Sequence, residues 1–265
     1  MFDSGLGGLT ILRVVQKALP EYNYVYLGDT ARSPYGTRSR DAVYEFTKQA
    51  VDFLISKDCE LIIIACNTAS SEALRKIQHE YLPLKYAGKK VLGVIIPAAE
   101  EAVKETINKR VGVIATSGTV LSGAFTRELV KLSPGVSVFQ VACPLIVPII
   151  EAGDEKEPFT DLILERYLKP LRAKKIDTLI LGCTHYEIVE RVIREIMGPR
   201  VKIVAEGSVV AKSLALYLQR HHEIKDRLGK YRKRQFYSTD LTERFRELAS
   251  RFFGKKINVN KAELP

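Results

Sequence analysis

The sequence predicts an α/β protein of two pseudo-symmetric lobes, each a mainly parallel sheet flanked by helices, on three observations. Short runs rich in Val, Ile, Leu and Tyr alternate with longer stretches of helical periodicity, the pattern of parallel strands joined by crossover helices. The order of these segments in the first half recurs in the second. One local match then links the halves: "ELIIIACNTASS" (60–71) and "DTLILGCTHYEI" (177–188) both run acidic residue, apolar strand, small residue, Cys, then hydroxyl or amide side chains before a helix.

The elements follow in chain order. "GLGG" (5–8) lets the chain turn tightly into a first helix, "GGLTILRVVQKAL", whose Leu9, Leu12, Val15 and Leu19 form one apolar stripe. As half of a nucleotide-binding loop it is a weak signal, because the GxGxxG spacing is missing and hardly any strand precedes it. Strands are expected at 22–29, 61–66, 91–95, 111–116, 136–143, 178–183 and 201–206, with helices between them. The segment "YEIVERVIREIM" places Ile188, Val189, Val192, Ile193 and Ile196 on one helical face. The basic cluster "KYRKRQ" (230–235) precedes a short strand. A last helix in "STDLTERFRELASRFF" has Asp240 and Glu243 at capping-box spacing and buries Leu241, Phe245, Leu248 and Phe252.

At 265 residues, 46% hydrophobic and 27% charged, the chain is long enough for real cores. No run approaches the roughly 18 to 20 apolar residues of a membrane span, and no leader pattern opens the chain, so a cytoplasmic protein without membrane contact is expected. The four cysteines, Cys59, Cys66, Cys143 and Cys183, show neither CxxC nor metal-type spacing with the four histidines; free thiols and no metal follow. The net charge of +10 is scattered along helix faces, and 230–235 reads as a solvated loop, not a nucleic-acid contact. His79, His221 and His222, in helical or basic surroundings, are expected to face solvent.

Ligands of open parallel sheets bind beyond the carboxyl ends of the strands, which is where Cys66 and Cys183 fall. A thiol just before a helix meets unpaired backbone N–H groups and the positive end of the helix, which favour thiolate and draw its pKa below about 8.5. Two such thiols on facing lobes suit a racemisation, which removes the α-proton from one face of a carbon and returns a proton to the other. The substrate would then be clamped in the cleft between the lobes. Cys59 and Cys143 lack the polar helix-opening turn and read as packing residues. Disulfide redox chemistry, the other use of a thiol pair, ordinarily employs CxxC or a nearby resolving partner.

These residues carry a resemblance. "FDSGLGG" (2–8), "GDTARSPYG" (28–36), "ACNTAS" (65–70) and "LGCTHY" (181–186), with "CPLIVPIIEAG" (143–153) and "YSTDLTERF" in the tail, resemble the signature blocks of the glutamate racemases, within the aspartate/glutamate racemase superfamily. The resemblance implies cofactor-independent interconversion of L- and D-glutamate for peptidoglycan, in a homodimer. It also implies that the C-terminal segment returns to the first lobe, giving lobes of 1–97 plus 208–265 and of 98–207. By motif position, Cys66 and Cys183 would transfer protons, while Asp3, Ser4, Pro34, Tyr35, Gly36, Asn67, Thr68, Thr116, Thr119, Thr184 and His185 would line the substrate pocket. Asp3, His185, Asp29 and Glu151 are further acid/base candidates, although Asp29 also fits a turn-ordering role and Glu151 a solvated helix end.

The chemistry suits those roles: the two carboxylates of glutamate need hydroxyl, amide and N–H donors, and its ammonium needs an acceptor such as Asp3. Without a pyridoxal group, the same donors must hold the α-carboxylate as it gains enolate character. The block Thr184–His185–Tyr186 favours glutamate over aspartate as substrate. A catalytically silent binding protein on the same scaffold would need one thiol out of place. The chain departs from the family pattern in its short first strand, whose end frays unless tied down. It departs also in "VIIPAAE" (94–100), in Glu187 where proline is usual, and in "VAEGS" (204–208); these are expected at the pocket rim or the hinge.

Overall fold

The structure, a computed structural model, describes residues 1–264. Its strands are β1 (Phe2–Asp3), β2 (Tyr24–Gly28), β3 (Leu61–Ile64), β4 (Lys90–Gly93), β5 (Arg110–Ala115), β6 (Ser137–Ala142), β7 (Thr178–Gly182), β8 (Lys202–Val204), β9 (Arg234–Ser238) and β10 (Val259–Lys261). They form two sheets, ordered β10-β9-β2-β1-β3-β4 and β6-β5-β7-β8, in which every pairing is parallel. Counted from its own first strand, each sheet carries the order second, first, third, fourth. The recurrence expected from segment order is therefore a recurrence of topology.

Parallel strands covered on both faces are apolar throughout, and that is why the runs at 61–64 and 178–182 were legible. Ile62, Ile63 and Ile64 are buried in β3, as are all five residues of β7. The helix Gly8–Ala18 lays Leu9, Ile11, Leu12 and Val15 into a core shared with Val210, Ala211, Leu214 and Leu218 of the helix Glu206–Arg220. No helix among the described residues is long and apolar enough to cross a membrane.

β1 is as short as expected, yet its end is not loose. Phe2 sits opposite Leu27 and Ile64 at the centre of the six-stranded sheet, and Met1, Phe2 and Asp3 are all buried. Ladder bonds on both sides, with Leu27 N–H to Met1 O and Ala65 N–H to Phe2 O, tie it down.

Several local expectations are corrected. β4 stops at Gly93, and a helix, Ile95–Glu105, takes the next residues. Pro97 falls in its first turn, where a missing N–H costs nothing because those donors have no intrahelical acceptor. A 3-10 turn, Tyr186–Val189, precedes the helix Glu190–Met197. β10 was not foreseen. Arg234 is not merely solvated, since its guanidinium donates to Tyr22 O at 2.5 Å and Pro20 O at 2.7 Å. His79 and His222 are exposed, whereas His221 is half-buried and stacks on Tyr217 at 4.2 Å.

The last helix, Glu243–Phe253, is capped by Thr242, whose hydroxyl accepts from Phe245 N–H at 3.1 Å, and not by Asp240. Its buried face is Phe245, Ala249, Phe252 and Phe253, with Leu241 and Leu248 half-buried. Thr242→Ala is expected to lower unfolding free energy by about 1 kcal/mol in urea titration, the usual worth of an N-cap, while Asp240→Ala leaves the cap intact.

Candidate active site

Each sheet delivers one thiol at the carboxyl end of its third strand. Cys66 follows β3 by two residues and Cys183 follows β7 directly; both are 6% exposed. Cys66 caps the helix Asn67–Glu72, accepting from Ala69 N–H at 3.5 Å, and its Sγ lies 3.3 Å from Ser4 Oγ. Cys183 Sγ lies 4.0 Å from His185 Nδ1. The two sulfurs belong to different apolar clusters, but they meet at one polar seam. The Asp3 carboxylate acts on both, and charge on Cys66 disfavours charge on Cys183.

The acidity of the thiols is opposite to the expectation from helix ends. Burial pushes Cys66 up to about 11, with Asp3 adding to the rise and the Ser4 and Ala69 donors only partly offsetting it. Burial also holds Cys183 well above the usual thiol range against the His185 N–H. Desolvation wins because the facing lobe removes water, and removing water disfavours the charged form. Cys143, buried just after β6 and pushed up to about 12 by the same cause, has no polar side chain as partner among the described residues; Cys59 is half-buried. Both remain packing residues.

Side chains from the two sheets are joined across the seam. Asp3 accepts from Gly5 N–H at 2.9 Å and from Thr184 Oγ1 at 3.4 Å. Thr68 and Thr116 hydroxyls lie 2.9 Å apart, and Thr119 Oγ1 is 3.0 Å from that of Thr116. Asn67 Nδ2 donates to Glu206 Oε2 at 2.8 Å. Glycines permit the approach: a Cβ on Gly7 would stand 2.0 Å from Thr184 Oγ1, and one on Gly36 2.7 Å from Thr116 Cβ. Burial, with only part of it offset by His185 and the Gly5 N–H, raises the Asp3 carboxyl above its ordinary range.

From Cys183 the chain of contacts leads outward. His185 Nε2 is 3.0 Å from Glu151 Oε1, and Glu151 is 36% exposed on its side chain, so the three residues step from the buried thiol towards solvent. Phe252 meets the His185 ring edge-on at 5.5 Å, and Arg244 donates to the carbonyls of Glu151 and Ala152 at 2.8 Å. The last helix thus packs against His185 and the Glu151 backbone and leaves the Glu151 side chain partly exposed.

Asp29 is fully buried but occupied, accepting from Arg32 Nε at 2.7 Å, Tyr35 hydroxyl at 2.5 Å and Thr239 hydroxyl at 2.8 Å. It orders the loop that carries Pro34, which is exposed, and Gly36 towards the seam. Glu206 was not among the candidates. It opens a helix after β8 and its partner lies 139 positions away, so only its departure from the family pattern pointed to it.

The seam is closed: Asp3, Asn67, Thr68, Thr119 and Thr184 are all 3% exposed or less. Two cavities lie elsewhere, about 640 Å³ beside Arg75, Arg127 and Tyr217 and about 530 Å³ beside Tyr24, Cys59 and Leu218. Neither touches Cys66 or Cys183, and neither outweighs the convergence of thiols, carboxyls and hydroxyls at the strand ends.

Comparison with known proteins gives three kinds of match. Residues 9–214 match the family described as Asp/Glu/Hydantoin racemase. The chain is 37% identical over 262 residues to the glutamate racemase of Streptococcus gordonii, covering 99% of this chain and 97% of that one. The structure superposes on glutamate racemase isoform RacE1 of Bacillus anthracis with a TM-score of 0.91 at 33% identity, covering 100% and 96%. It superposes on the Francisella tularensis glutamate racemase in complex with D-glutamate with a TM-score of 0.88 at 33% identity, covering 99% and 95%.

Proposed function

The chain belongs to the Asp/Glu/hydantoin racemase family, and on that footing we propose that it interconverts L- and D-glutamate by proton transfer between two opposed cysteines. The observation that carries this reading is the arrival of one buried thiol from each sheet at the same polar seam, beside Asp3. One sulfur enters the reaction as thiolate. It takes the α-proton, so that an S–H bond forms as the C–H bond breaks and the electron pair passes into the α-carboxylate as an enolate. The opposite thiol then gives its proton to the other face of the carbon and is left as thiolate. In the reverse direction the roles exchange.

The neutral donors Ser4, Asn67, Thr68, Thr116, Thr119 and Thr184 would hold the two carboxylates. Within the seam the threonine hydroxyls donate to one another, and a bound carboxylate offers each a better acceptor. Asp3 would face the ammonium. The Cys183, His185, Glu151 sequence provides a route by which that thiol exchanges its proton with solvent. Because the seam is closed, glutamate enters only as the lobes part; we assign residues 1–97 with 208–265 to one and 98–207 to the other. The product would supply peptidoglycan, as the resemblance implies.

The test is to follow optical activity of L- and D-glutamate with purified protein and no added cofactor, beside L-aspartate. Racemisation of glutamate is expected, and an inert response to glutamate sinks the reading. The pH dependence follows from the raised thiols. The thiolate fraction of the free protein is small at neutral pH and rises with pH towards the Cys66 value of about 11. Accordingly kcat/KM is expected to climb by about tenfold per unit from pH 6 to 8. A profile flat above pH 7 would mean that the base is already ionised.

A further inference from the structure

Two departures from the family pattern, Glu187 and Glu206, stand next to one another. Glu206 opens the helix Glu206–Arg220 and is 1% exposed. Its Oε2 is 2.8 Å from Asn67 Nδ2, while its Oε1 has no hydrogen-bond partner among the described residues. Asn67 Oδ1 is likewise buried and unpartnered among them. Two polar atoms of one pair are thus left without partners in a place where each would ordinarily have one.

The groups that face Glu206 are Asn67 from the helix after β3, Glu187 from the turn after β7, Asp3 from β1 and Cys183. None is a cation. The donors at the helix start do not serve it either, since Glu187 Oε1 accepts from Gly207 N–H at 2.6 Å and its carboxylate also takes the Glu206 N–H. Burial first, and then Glu187 and Asp3, hold the Glu206 carboxyl well above the ordinary range.

A carboxylate can only accept, so it fixes the Asn67 NH2 upon itself and turns the amide oxygen away. A neutral acid has a hydrogen to give. The two ends of an amide have the same shape, and its partners decide which way it lies. We propose that Glu206 is a positioning residue that, as a neutral carboxylic acid, donates its O–H to Asn67 Oδ1 and thereby presents the Asn67 NH2 to a substrate carboxylate. This arrangement gives Asn67 Oδ1 its missing partner. It also gives a site built of neutral donors one more donor. Glu187 contributes by occupying the helix N-terminus that would otherwise stabilise the charged form of Glu206. The inference rests on the glutamate reading of the seam only in making Asn67 a substrate contact.

Steady-state kinetics of the wild type, Glu206→Gln and Glu206→Leu on glutamate, together with infrared difference spectra, test it. Glu206→Gln retains a donor for Asn67 and is expected to keep KM within about twofold. Glu206→Leu is expected to raise KM on the order of tenfold to a hundredfold with a smaller change in kcat. The wild-type minus Glu206→Gln spectrum at neutral pH should show the C=O stretch of a carboxylic acid. Loss of a carboxylate band instead, or a KM for Glu206→Gln as high as for Glu206→Leu, overturns the proposal. A wild type with the acid band but no turnover of glutamate overturns the reading of the reaction and leaves the proton placement standing.

Discussion

Replacing Cys66 or Cys183 by alanine lowers racemisation in both directions by about 10²- to 10⁴-fold, the usual worth of a positioned acid or base. The loss is symmetric because each direction needs both residues, one to take a proton and the other to give one. Serine at either position keeps the size and the contact with Ser4 or His185 but not the acidity, so it should do no better than alanine. Folding should be little affected, since the change removes only one sulfur atom from each apolar cluster. The single variants also separate the two faces of the carbon. With one thiol left, α-hydrogen exchange in heavy water is expected for one enantiomer only, and the two variants should exchange opposite enantiomers. Full racemisation by either alanine variant would remove that residue from the reaction.

Gly7→Ala is expected to lower kcat/KM by about 100-fold, the effect of a displacement of roughly 1 Å at a reacting centre. The backbone at Gly7, with φ −57° and ψ −37°, accepts alanine without strain. The added Cβ is what does not fit, at 2.0 Å from Thr184 Oγ1 and 2.6 Å from His185 Nδ1. The lobes must then separate or Thr184 must turn, and either change moves Cys183 relative to Cys66 and Asp3. Overpacking of this kind costs about 1–3 kcal/mol of stability, so urea unfolding should be measured beside the kinetics to show that the variant is folded during the assay. Unchanged kcat/KM would mean that the chemistry is not at this seam.

The most legible features were those set by short stretches of chain. An apolar strand ending in Cys and a helix-opening turn is local, and it appears twice, so both thiols and the recurring order of segments could be read directly, while the order of strands within each sheet could not. β10 could not, because Val259–Lys261 is three residues long, half-buried at Val259 and exposed at Asn260 and Lys261, with no alternation to mark it. The cap of the last helix was ambiguous for another reason. Asp240 and Thr242 both have suitable side chains, and only the path of the backbone chooses between them. The acidity of the thiols was misread because local helix ends argue one way and the facing lobe, remote in sequence, argues the other more strongly. Glu206 was missed on the same ground, since what makes it notable is the company of Asn67, Glu187 and Asp3.

The position of the label at early times in heavy water is the most direct test of two bases. L-Glutamate is converted by the wild type and both enantiomers are analysed for α-deuterium before a tenth of the substrate has reacted. Two opposed thiols predict D-glutamate carrying solvent deuterium while the remaining L-glutamate keeps its α-hydrogen, and the converse from D-glutamate. Product that retains the substrate hydrogen, or label entering substrate as fast as product, would contradict it.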